Sequence, residues 1–239
     1  MLDKIASIAQ FLQKSVLNHA RICMLCQQYH RTNAVICDDC RQYLTPLGRR
    51  CYYCATLLAE NHTTSNVCDS CAQETHVIDA IITAYRYEEP LKTLLHLFKY
   101  QQGLDLKTLL VSLMLEAPFE HRHTECLIPI PMHRQRLRQR GFNQAAILAR
   151  CLSRQIKVPC LLYACQKIRK TLPQARLSLH QRQHNLKDAF KVQTIPYKRI
   201  TLIDDLYTTG STTREIASLF KAQGVEQVDV WCCARAILS

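Results

Sequence analysis

The sequence predicts an α/β fold with a mostly parallel sheet, preceded by a small cysteine-rich module. Three observations lead to this prediction. Strand and helix patterns alternate from Val77 onward, four Cys-x-x-Cys pairs occupy the first third of the chain, and 48% of the 239 residues are hydrophobic. That length and composition suffice for one α/β core and a small extra module. We therefore expect an amphipathic helix over 1–20, a cysteine module over 21–75 and an α/β domain over 77–239.

The first twenty residues favour a helix that packs on protein rather than crosses a membrane. Ile5, Ile8, Leu12 and Val16 fall on one helical stripe. Charged residues interrupt the apolar positions, so the segment does not resemble a signal peptide. No apolar run in the chain reaches the length of a membrane span. Together with many reduced thiols, these features predict a cytoplasmic protein.

Eight of the fourteen cysteines form four Cys-x-x-Cys pairs, namely Cys23/Cys26, Cys37/Cys40, Cys51/Cys54 and Cys68/Cys71. Zinc takes four tetrahedral ligands, and each such pair supplies two thiolates. The pattern therefore predicts two closed, structural zinc sites. A disulfide framework is the alternative, but the missing leader and six further cysteines in apolar stretches argue against it.

Each Cys-x-x-Cys turn is called a knuckle below. Which knuckles share a metal ion is a separate question. Neighbouring pairs sharing one metal give two tandem ribbons, whereas alternating pairs give a crossed arrangement. We favour the tandem arrangement, because residues 41–50 then form a simple linker. Between the knuckles, Tyr29, Tyr43, Tyr52 and Tyr53 either stack on nucleic-acid bases or form a miniature core.

The rest of the chain alternates strand and helix patterns, as doubly covered parallel sheets do. We expect strands at 78–87, 127–130, 161–163, 200–203 and 225–231. Helices are expected at 90–100, 104–115 and 145–156, and after Gly210 through Phe220. Ligands of such sheets bind outside the carboxyl ends of the strands.

The segment ITLIDDLYTTGSTT, residues 200–213, is the most informative part of the domain. An apolar strand is followed by two carboxylates and then by a hydroxyl-rich turn that opens a helix. Helix N-termini offer unpaired N–H groups, which suit a phosphate. Carboxylates would repel a phosphate but accept hydrogen bonds from sugar hydroxyls. The pattern therefore predicts a site for a ribose 5-phosphate formed by Asp204, Asp205, Thr208, Thr209, Gly210, Ser211 and Thr212.

Two basic segments add candidate cations for a diphosphate. Residues 129–145 carry a run of arginines after a strand, and residues 169–190 are basic with few apolar side chains. Guanidinium groups bind phosphate oxygens in pairs, and a long basic loop can close over a ligand. The candidates for this task are Lys99, Arg138, Arg140, Arg169 and Lys170, and the alternative is a solvated basic face.

Residues 200–213 resemble the PRPP-binding motif of type I phosphoribosyltransferases. The chain as a whole resembles the competence protein F (ComF/GntX-like) family. This second resemblance rests on the cysteine knuckles, LFKY at 97–100, RLRQRGFNQA at 136–145, TLPQARLSLHQRQHNLKDAF at 171–190 and IDDLYTTGST at 203–212. It implies a parallel sheet of the type I phosphoribosyltransferase kind behind a double zinc ribbon.

The resemblance also implies a function and partners. It implies PRPP bound with Mg²⁺, with Asp204 and Asp205 on the ribose and residues 208–212 on the 5-phosphate. It further implies a role in natural transformation, with incoming single-stranded DNA in the cytoplasm and a helicase-like DNA translocase as partners. Three hypotheses remain open: a PRPP-binding module without turnover, a phosphoribosyltransferase acting on an unknown nitrogen acceptor, and a non-catalytic zinc-ribbon adaptor. In the enzyme hypothesis Asp204, Asp205, Arg138 and Arg140 are the catalytic candidates.

Overall fold

A computed structural model describes residues 21–59, 65–100, 103, 105–118, 123–170 and 188–237. The expected N-terminal helix over 1–20 and most of the basic segment, 171–187, lie outside these described residues. The chain divides into two compact units, residues 1–44 and 45–239. Among the described helices, none has the length and apolar character needed to cross a membrane.

The first unit holds the first two cysteine pairs. Strands β1 (Arg21–Ile22) and β2 (Tyr29–His30) pair antiparallel, and helix α1 spans Asp38–Gln42. Gln27 turns the chain with a left-handed φ of 59° after the first pair. Cys37 then caps α1, and its side chain accepts the Cys40 backbone N–H. One knuckle is thus a tight turn, and the other is a helix start.

The second unit begins with a repeat of the same design. Ala55 takes a left-handed φ of 54° after its cysteine pair, as Gln27 does in the first unit. Cys68 is the N-cap of helix α2 (Asp69–Ala72), as Cys37 is of α1. The two cysteine modules therefore fold alike, although their intervening sequences differ.

The main sheet of the second unit is entirely parallel within the described residues. Its strands run in the order β3 (Ala80–Ile82), β9 (Gln227–Arg235), β8 (Arg199–Tyr207) and β5 (Cys126–Pro129), and β4 (Tyr85–Arg86) also pairs with β9. Of the two central strands, β9 is almost wholly buried, as a covered parallel sheet requires, whereas β8 is buried at 200–203 and only partly buried at 204–206. The predicted α/β fold class with a cysteine-rich module before it is confirmed.

Helices cover both faces of this sheet. They are α3 (Leu91–Phe98), α4 (Leu106–Leu115), α5 (Arg134–Arg140), α6 (Gln144–Ile156) and α7 (Ser211–Ala222). Val230 shares a buried cluster with Phe220 of α7. Its neighbour Trp231 donates its indole N–H to the carbonyl of Met114 in α4, at 3.0 Å. Because consecutive strand residues point to opposite faces, α4 and α7 lie on opposite sides.

Several predicted elements differ from the structure. The strand expected at 161–163 is wrong: those residues form a turn, and the nearby strand is β6 (Cys165–Lys167), paired antiparallel with β7 (Phe190–Val192). The strand expected at 78–87 is split into β3 and β4. Helix α5 is not predicted from the sequence. Its seven residues contain only one apolar side chain, so they show no apolar stripe at helical spacing.

The two central strands end at different places, and this difference creates the site. Strand β8 stays paired with β9 up to the partners Tyr207 and Arg235, but its pairing with β5 stops where Pro129 faces Ile203. Asp204 and Asp205 therefore lie inside a strand on one side and at an open edge on the other. From the sequence, both residues are expected to follow the end of the strand. This is true only of the pairing with β5, because β8 remains paired with β9 beyond them.

Candidate functional site

The eight knuckle cysteines form two separate groups of four. Cys23, Cys26, Cys37 and Cys40 form one group and Cys51, Cys54, Cys68 and Cys71 the other, with the sulfurs within each group no more than 4.8 Å apart. Tetrahedral zinc with metal–sulfur distances of about 2.3 Å places its sulfurs about 3.8 Å apart. The Sγ atoms of Cys26 and Cys37 are 3.8 Å apart, and those of Cys54 and Cys68 are 3.7 Å apart. The residues thus fit two four-thiolate metal sites, and the predicted tandem pairing is confirmed.

Backbone amides prepare the innermost thiol of each group for ionisation. Burial opposes ionisation of Cys23, but N–H groups of Cys26 and Cys37 donate to its sulfur and lower its pKa to about 6. Cys51 is the counterpart in the second group, where burial is outweighed by N–H donors at Cys68 and Cys54 and the pKa falls to about 7. Such donors are the usual outer-shell support of zinc–thiolate sites. With all four positions taken by sulfur, neither group leaves a position for a substrate.

The tyrosines of the cysteine modules have different surroundings. Tyr29 and Tyr43 are about three-quarters exposed in the first unit. Tyr53 instead stacks on His76, with ring centroids 3.9 Å apart, and Tyr52 meets Tyr53 edge to face. Only Tyr29 and Tyr43 are therefore widely open for stacking on a base, whereas Tyr53 belongs to its module's own packing.

A second candidate site lies at the carboxyl ends of β5 and β8. It is a cavity of about 660 Å³, large enough for a sugar diphosphate. The part of β8 that extends beyond its last residue paired with β5 lines this cavity. Its lining includes Lys99, His133, Arg136, Arg140, Asn143, Gln144, Lys167, Lys170, Asp204, Asp205, Thr208 and Thr212. Five cationic side chains and two carboxylates thus share one cavity.

The carboxylates of Asp204 and Asp205 are in close electrostatic contact. Asp204 accepts the backbone N–H of Asp205 at 2.9 Å, which fixes its carboxylate beside the turn. Burial and the neighbouring Asp205 carboxylate raise the pKa of Asp204 well above its usual range, and Lys99 opposes this only in part. A bound group that donates hydrogen bonds, such as a sugar hydroxyl, relieves this crowding of negative charge.

The hydroxyl-rich turn joins β8 to α7. Thr208 and Thr212 line the cavity, whereas Thr209 and Ser211 bond to each other through their hydroxyls at 2.9 Å. Gly210 is the N-cap of α7 with a left-handed φ of 73°. The turn therefore presents part of its hydroxyl set to the cavity and uses the rest to hold its own shape.

The candidate cations from the sequence separate into two groups. Lys99, Arg140 and Lys170 line the cavity with the carboxylates. Arg138 lines a neighbouring cavity instead, and the backbone N–H of Arg169 donates to Ala189 at 3.4 Å. The structure thus gathers seven of the candidates at the main cavity, namely Asp204, Asp205, Thr208, Thr212, Lys99, Arg140 and Lys170.

Three residues that shape this cavity are not singled out by the sequence, namely Lys167, Gln144 and Arg136, the last of which belongs to the predicted arginine run at 129–145. Lys167 and Arg136 add positive charge, and burial together with Arg136 and Arg169 lowers the pKa of Lys167. Gln144 is buried and accepts from Arg140 Nη1 at 3.0 Å, while its amide donates to the Lys99 carbonyl at 3.4 Å. A glutamine at the start of a helix carries no sequence signal for such a bridge.

The neighbouring cavity, of about 690 Å³, shares one wall with the main one. It is lined by Lys99, Tyr100, Arg136, Arg138, Gln139, Arg140 and Gly141. Tyr100 is 58% exposed, and its ring meets that of His96 edge to face. As far as the described residues form it, the lining of the neighbouring cavity has four cations and no carboxylate.

Known proteins resemble the chain along most of its length. Competence protein F of Haemophilus influenzae is 32% identical over 225 residues, covering 90% of this chain and 96% of the relative. DNA utilization protein YhgH of Escherichia coli strain K12 is 29% identical, covering 92% and 93% of the two chains. Competence protein ComFC of Bacillus subtilis is 26% identical, covering 86% and 91%.

Neither family models nor solved structures extend these similarities. No family model matches the chain. Among solved structures, the UMP synthase of Leishmania donovani is similar with a TM-score of 0.30 and 18% identity, over 57% of this chain and 22% of that protein. A similarity of that size supports no conclusion about the fold or the function.

Proposed function

The chain belongs to the competence protein F family, and on that premise we propose that it binds PRPP and acts in the uptake or use of DNA. The observation that carries the proposal is the composition of the main cavity. Asp204 and Asp205 line this space of about 660 Å³ together with five cationic side chains. The names of the relatives supply the DNA half of the proposal.

Each part of PRPP has a matching chemical group at the cavity. The ribose hydroxyls donate to Asp204 and Asp205, which relieves the repulsion between these carboxylates. The 5-phosphate lies at the turn, near Thr208 and Thr212 and the N-terminal end of α7, where N–H groups and hydroxyls favour an anion. The diphosphate lies against Lys99, Arg140 and Lys170.

A magnesium ion fits this arrangement only together with its ligand. Mg²⁺ prefers oxygen ligands and is usually held by one or two carboxylates plus substrate phosphates. Asp204 and Asp205 offer the carboxylates, and a bound diphosphate supplies the remaining oxygens. We therefore propose that Mg²⁺ enters with PRPP, and that the cysteine groups hold two structural zinc ions.

Turnover is the second candidate, and the cations near the expected diphosphate favour it. In this reaction the bond between ribose C1 and the diphosphate oxygen breaks, and a bond forms from a nitrogen nucleophile to C1. The nucleophile loses its proton, and the diphosphate leaves with the bonding electrons. Lys99 and Arg140 would stabilise the charge that develops on the diphosphate.

Single-stranded DNA is the proposed macromolecular partner, and the neighbouring cavity supports it. Exposed Tyr100 offers a ring for base stacking beside the guanidinium groups of Arg136 and Arg138, which suit phosphates. The shared wall would let one strand pass close to bound PRPP.

A helicase-like translocase remains a proposed protein partner, with Tyr29 and Tyr43 of the first unit as exposed candidates for its docking.

Calorimetric titration tests the PRPP proposal. PRPP with Mg²⁺ should bind the full-length protein, and the double variant Asp204→Asn/Asp205→Asn should lose most of that affinity. A double variant that binds PRPP as tightly as the wild type contradicts the assignment. Release of diphosphate in the presence of candidate nitrogen acceptors separates turnover from binding alone.

A further inference from the structure

Arg235, at the end of β9, connects the second cysteine group to the hydroxyl-rich turn. Its side chain is 8% exposed. Its Nε donates to the backbone carbonyl of Cys54 at 3.0 Å. Its Nη1 donates to the carbonyls of Thr208, Tyr207 (3.4 Å) and Ala236 (2.5 Å). One buried guanidinium thus holds a metal-ligand residue and the turn together.

These carbonyls are all the more important because Arg235 has no acidic partner. Within the described part of the chain, no Asp or Glu forms an ion pair with it. A buried charge needs compensation from hydrogen bonds or an opposite charge. Backbone carbonyls supply part of it, and the guanidinium also lies over the Tyr207 ring, 5.0 Å from its centroid. Four thiolates around one Zn²⁺ carry about −2 in net charge, which adds an attractive counter-charge nearby.

The planar fork of arginine makes this connection rigid. Arginine donates in fixed directions, so the Cys54 carbonyl and the Thr208 carbonyl cannot move independently while both bonds are kept. Thr208 lines the main cavity, and Tyr207 precedes it. Movement of the Cys54 knuckle would therefore displace the turn that meets the ligand.

We propose that Arg235 is a positioning residue that couples metal occupancy of Cys51, Cys54, Cys68 and Cys71 to the conformation of the turn at 207–212. Loss of that metal loosens the turn and weakens anion binding in the cavity. By thermodynamic linkage, a ligand that binds more tightly when the turn is ordered also raises the affinity of this group for its metal. The first cysteine group, in the other unit, serves as an internal control. The ligand half of this inference rests on the proposed PRPP site, whereas the metal–turn half does not.

Hydrogen–deuterium exchange of the full chain tests the metal–turn half without any ligand. Cys71→Ser removes metal from the second group, and Cys40→Ser removes it from the first. We expect backbone exchange over 207–212 to rise at least several-fold in Cys71→Ser and in Arg235→Lys, and to stay at the wild-type level in Cys40→Ser. Arg235→Lys keeps a cation but lacks the fork, and it should retain both zinc ions. Equal exchange in Cys40→Ser and Cys71→Ser, or wild-type exchange in Arg235→Lys, overturns the coupling.

Competition for zinc with a coloured chelator, read at equilibrium, tests the reciprocal effect. A Cys40→Ser chain retains only the second-group zinc, so its zinc affinity reports that site alone. We expect saturating PRPP with Mg²⁺ to raise this affinity roughly 5- to 10-fold, within the usual range of coupling between sites. The increase should vanish in Cys40→Ser/Arg235→Lys and be absent in Cys71→Ser, which retains only the first-group zinc.

The two measurements distinguish failure of the coupling from failure of the proposed function. PRPP that binds with normal affinity but leaves the zinc affinity of the second group unchanged overturns the coupling. If calorimetry detects no PRPP binding, the proposed function fails, and the exchange result over 207–212 still decides whether Arg235 couples metal and turn.

Discussion

Gly210 lies directly against the side chain of Tyr207, so that any larger residue at position 210 requires the ring to move. A Cβ atom there would overlap both the hydroxyl oxygen and the Cζ atom of the Tyr207 ring. Tyr207 is itself 4% exposed, and it packs inward rather than toward the cavity. Tyr207 therefore supports the turn from its buried side, and Gly210 makes room for the ring.

Gly210→Ala should therefore destabilise the protein more than a left-handed backbone alone explains. Gly48 is the matched control, because its φ of 71° is also left-handed but a Cβ there meets nothing within 4 Å. We expect Gly48→Ala to cost about 1–2 kcal/mol in the free energy of unfolding, and Gly210→Ala about 1–3 kcal/mol more. Denaturant unfolding measures both. In a Tyr207→Leu background the extra cost should largely disappear; if it persists, the ring is not its cause.

Asp204→Asn should stabilise the ligand-free protein while weakening PRPP binding. The pKa of Asp204 is raised in the folded state, so its contribution to stability is full below the unfolded pKa and is lost as the pH rises through the folded pKa. Asparagine removes the repulsion with Asp205 at neutral pH. We expect a gain of about 1 kcal/mol, or roughly 2–4 °C in Tm, at pH 7.

The same variant should lose this advantage in acid. Below about pH 4, Asp204 is protonated in both the folded and the unfolded chain, so wild type and variant should converge. Thermal unfolding between pH 3.5 and pH 8 checks the sign. A variant that is less stable than the wild type at pH 7 would show that the Asp204 carboxylate has a stabilising partner in the ligand-free protein.

Gln144→Leu should weaken PRPP binding without removing any cation from the cavity. Gln144 holds the guanidinium of Arg140 at 3.0 Å and contacts the backbone at Lys99. Loss of a hydrogen bond to a charged group costs about 1.5–3 kcal/mol, so we expect a Kd roughly 10- to 100-fold higher. Gln155→Leu, at an exposed position of the same helix α6 that lines neither cavity, is the control and should change the Kd by less than about 3-fold. Equal effects of the two changes would refute the bridging role.

DNA binding at the neighbouring cavity should respond differently to its two kinds of side chain. Arg138→Gln should reduce the salt dependence of single-stranded DNA affinity by about 0.7 in the log–log slope for each lost phosphate contact. Tyr100→Ala should weaken binding by about 1–3 kcal/mol through lost stacking, with the slope unchanged. Fluorescence anisotropy at several salt concentrations measures both. Wild-type affinity and slope in the two variants would place the DNA elsewhere on the protein.

Each cysteine group should hold one zinc ion independently. Cys23→Ser and Cys51→Ser should each lower the zinc content from two ions to one, because their sulfurs belong to different groups. Cys126→Ser, which alters a buried thiol in β5, is the control and should keep both ions. Elemental analysis of the purified proteins decides this. Two ions retained in either knuckle variant would show that the lost sulfur is not a ligand.

The local order of residues determined much of this protein. Cysteine spacing fixes the four ligand pairs, because Cys-x-x-Cys brings two thiolates to one turn whatever surrounds it, whereas the fold decides which pairs share a metal. The alternating patterns fix the α/β class, and the acidic pair before a hydroxyl-rich helix start marks the site. These features depend on neighbours in sequence, so a single chain reveals them.

Tertiary structure alone decided which distant residues meet. Asp204 becomes accessible because β5 stops at Pro129 while β9 continues, and no local pattern encodes where a neighbouring strand ends. Arg136 lines the main cavity and Arg138 the neighbouring one because helix α5 turns successive side chains in different directions, while Lys167 reaches the main cavity from β6. Gln144 and Arg235 donate hydrogen bonds to backbone carbonyls that are remote in sequence, which any polar donor side chain can do. Such contacts become visible only when the packed core fixes both partners in space.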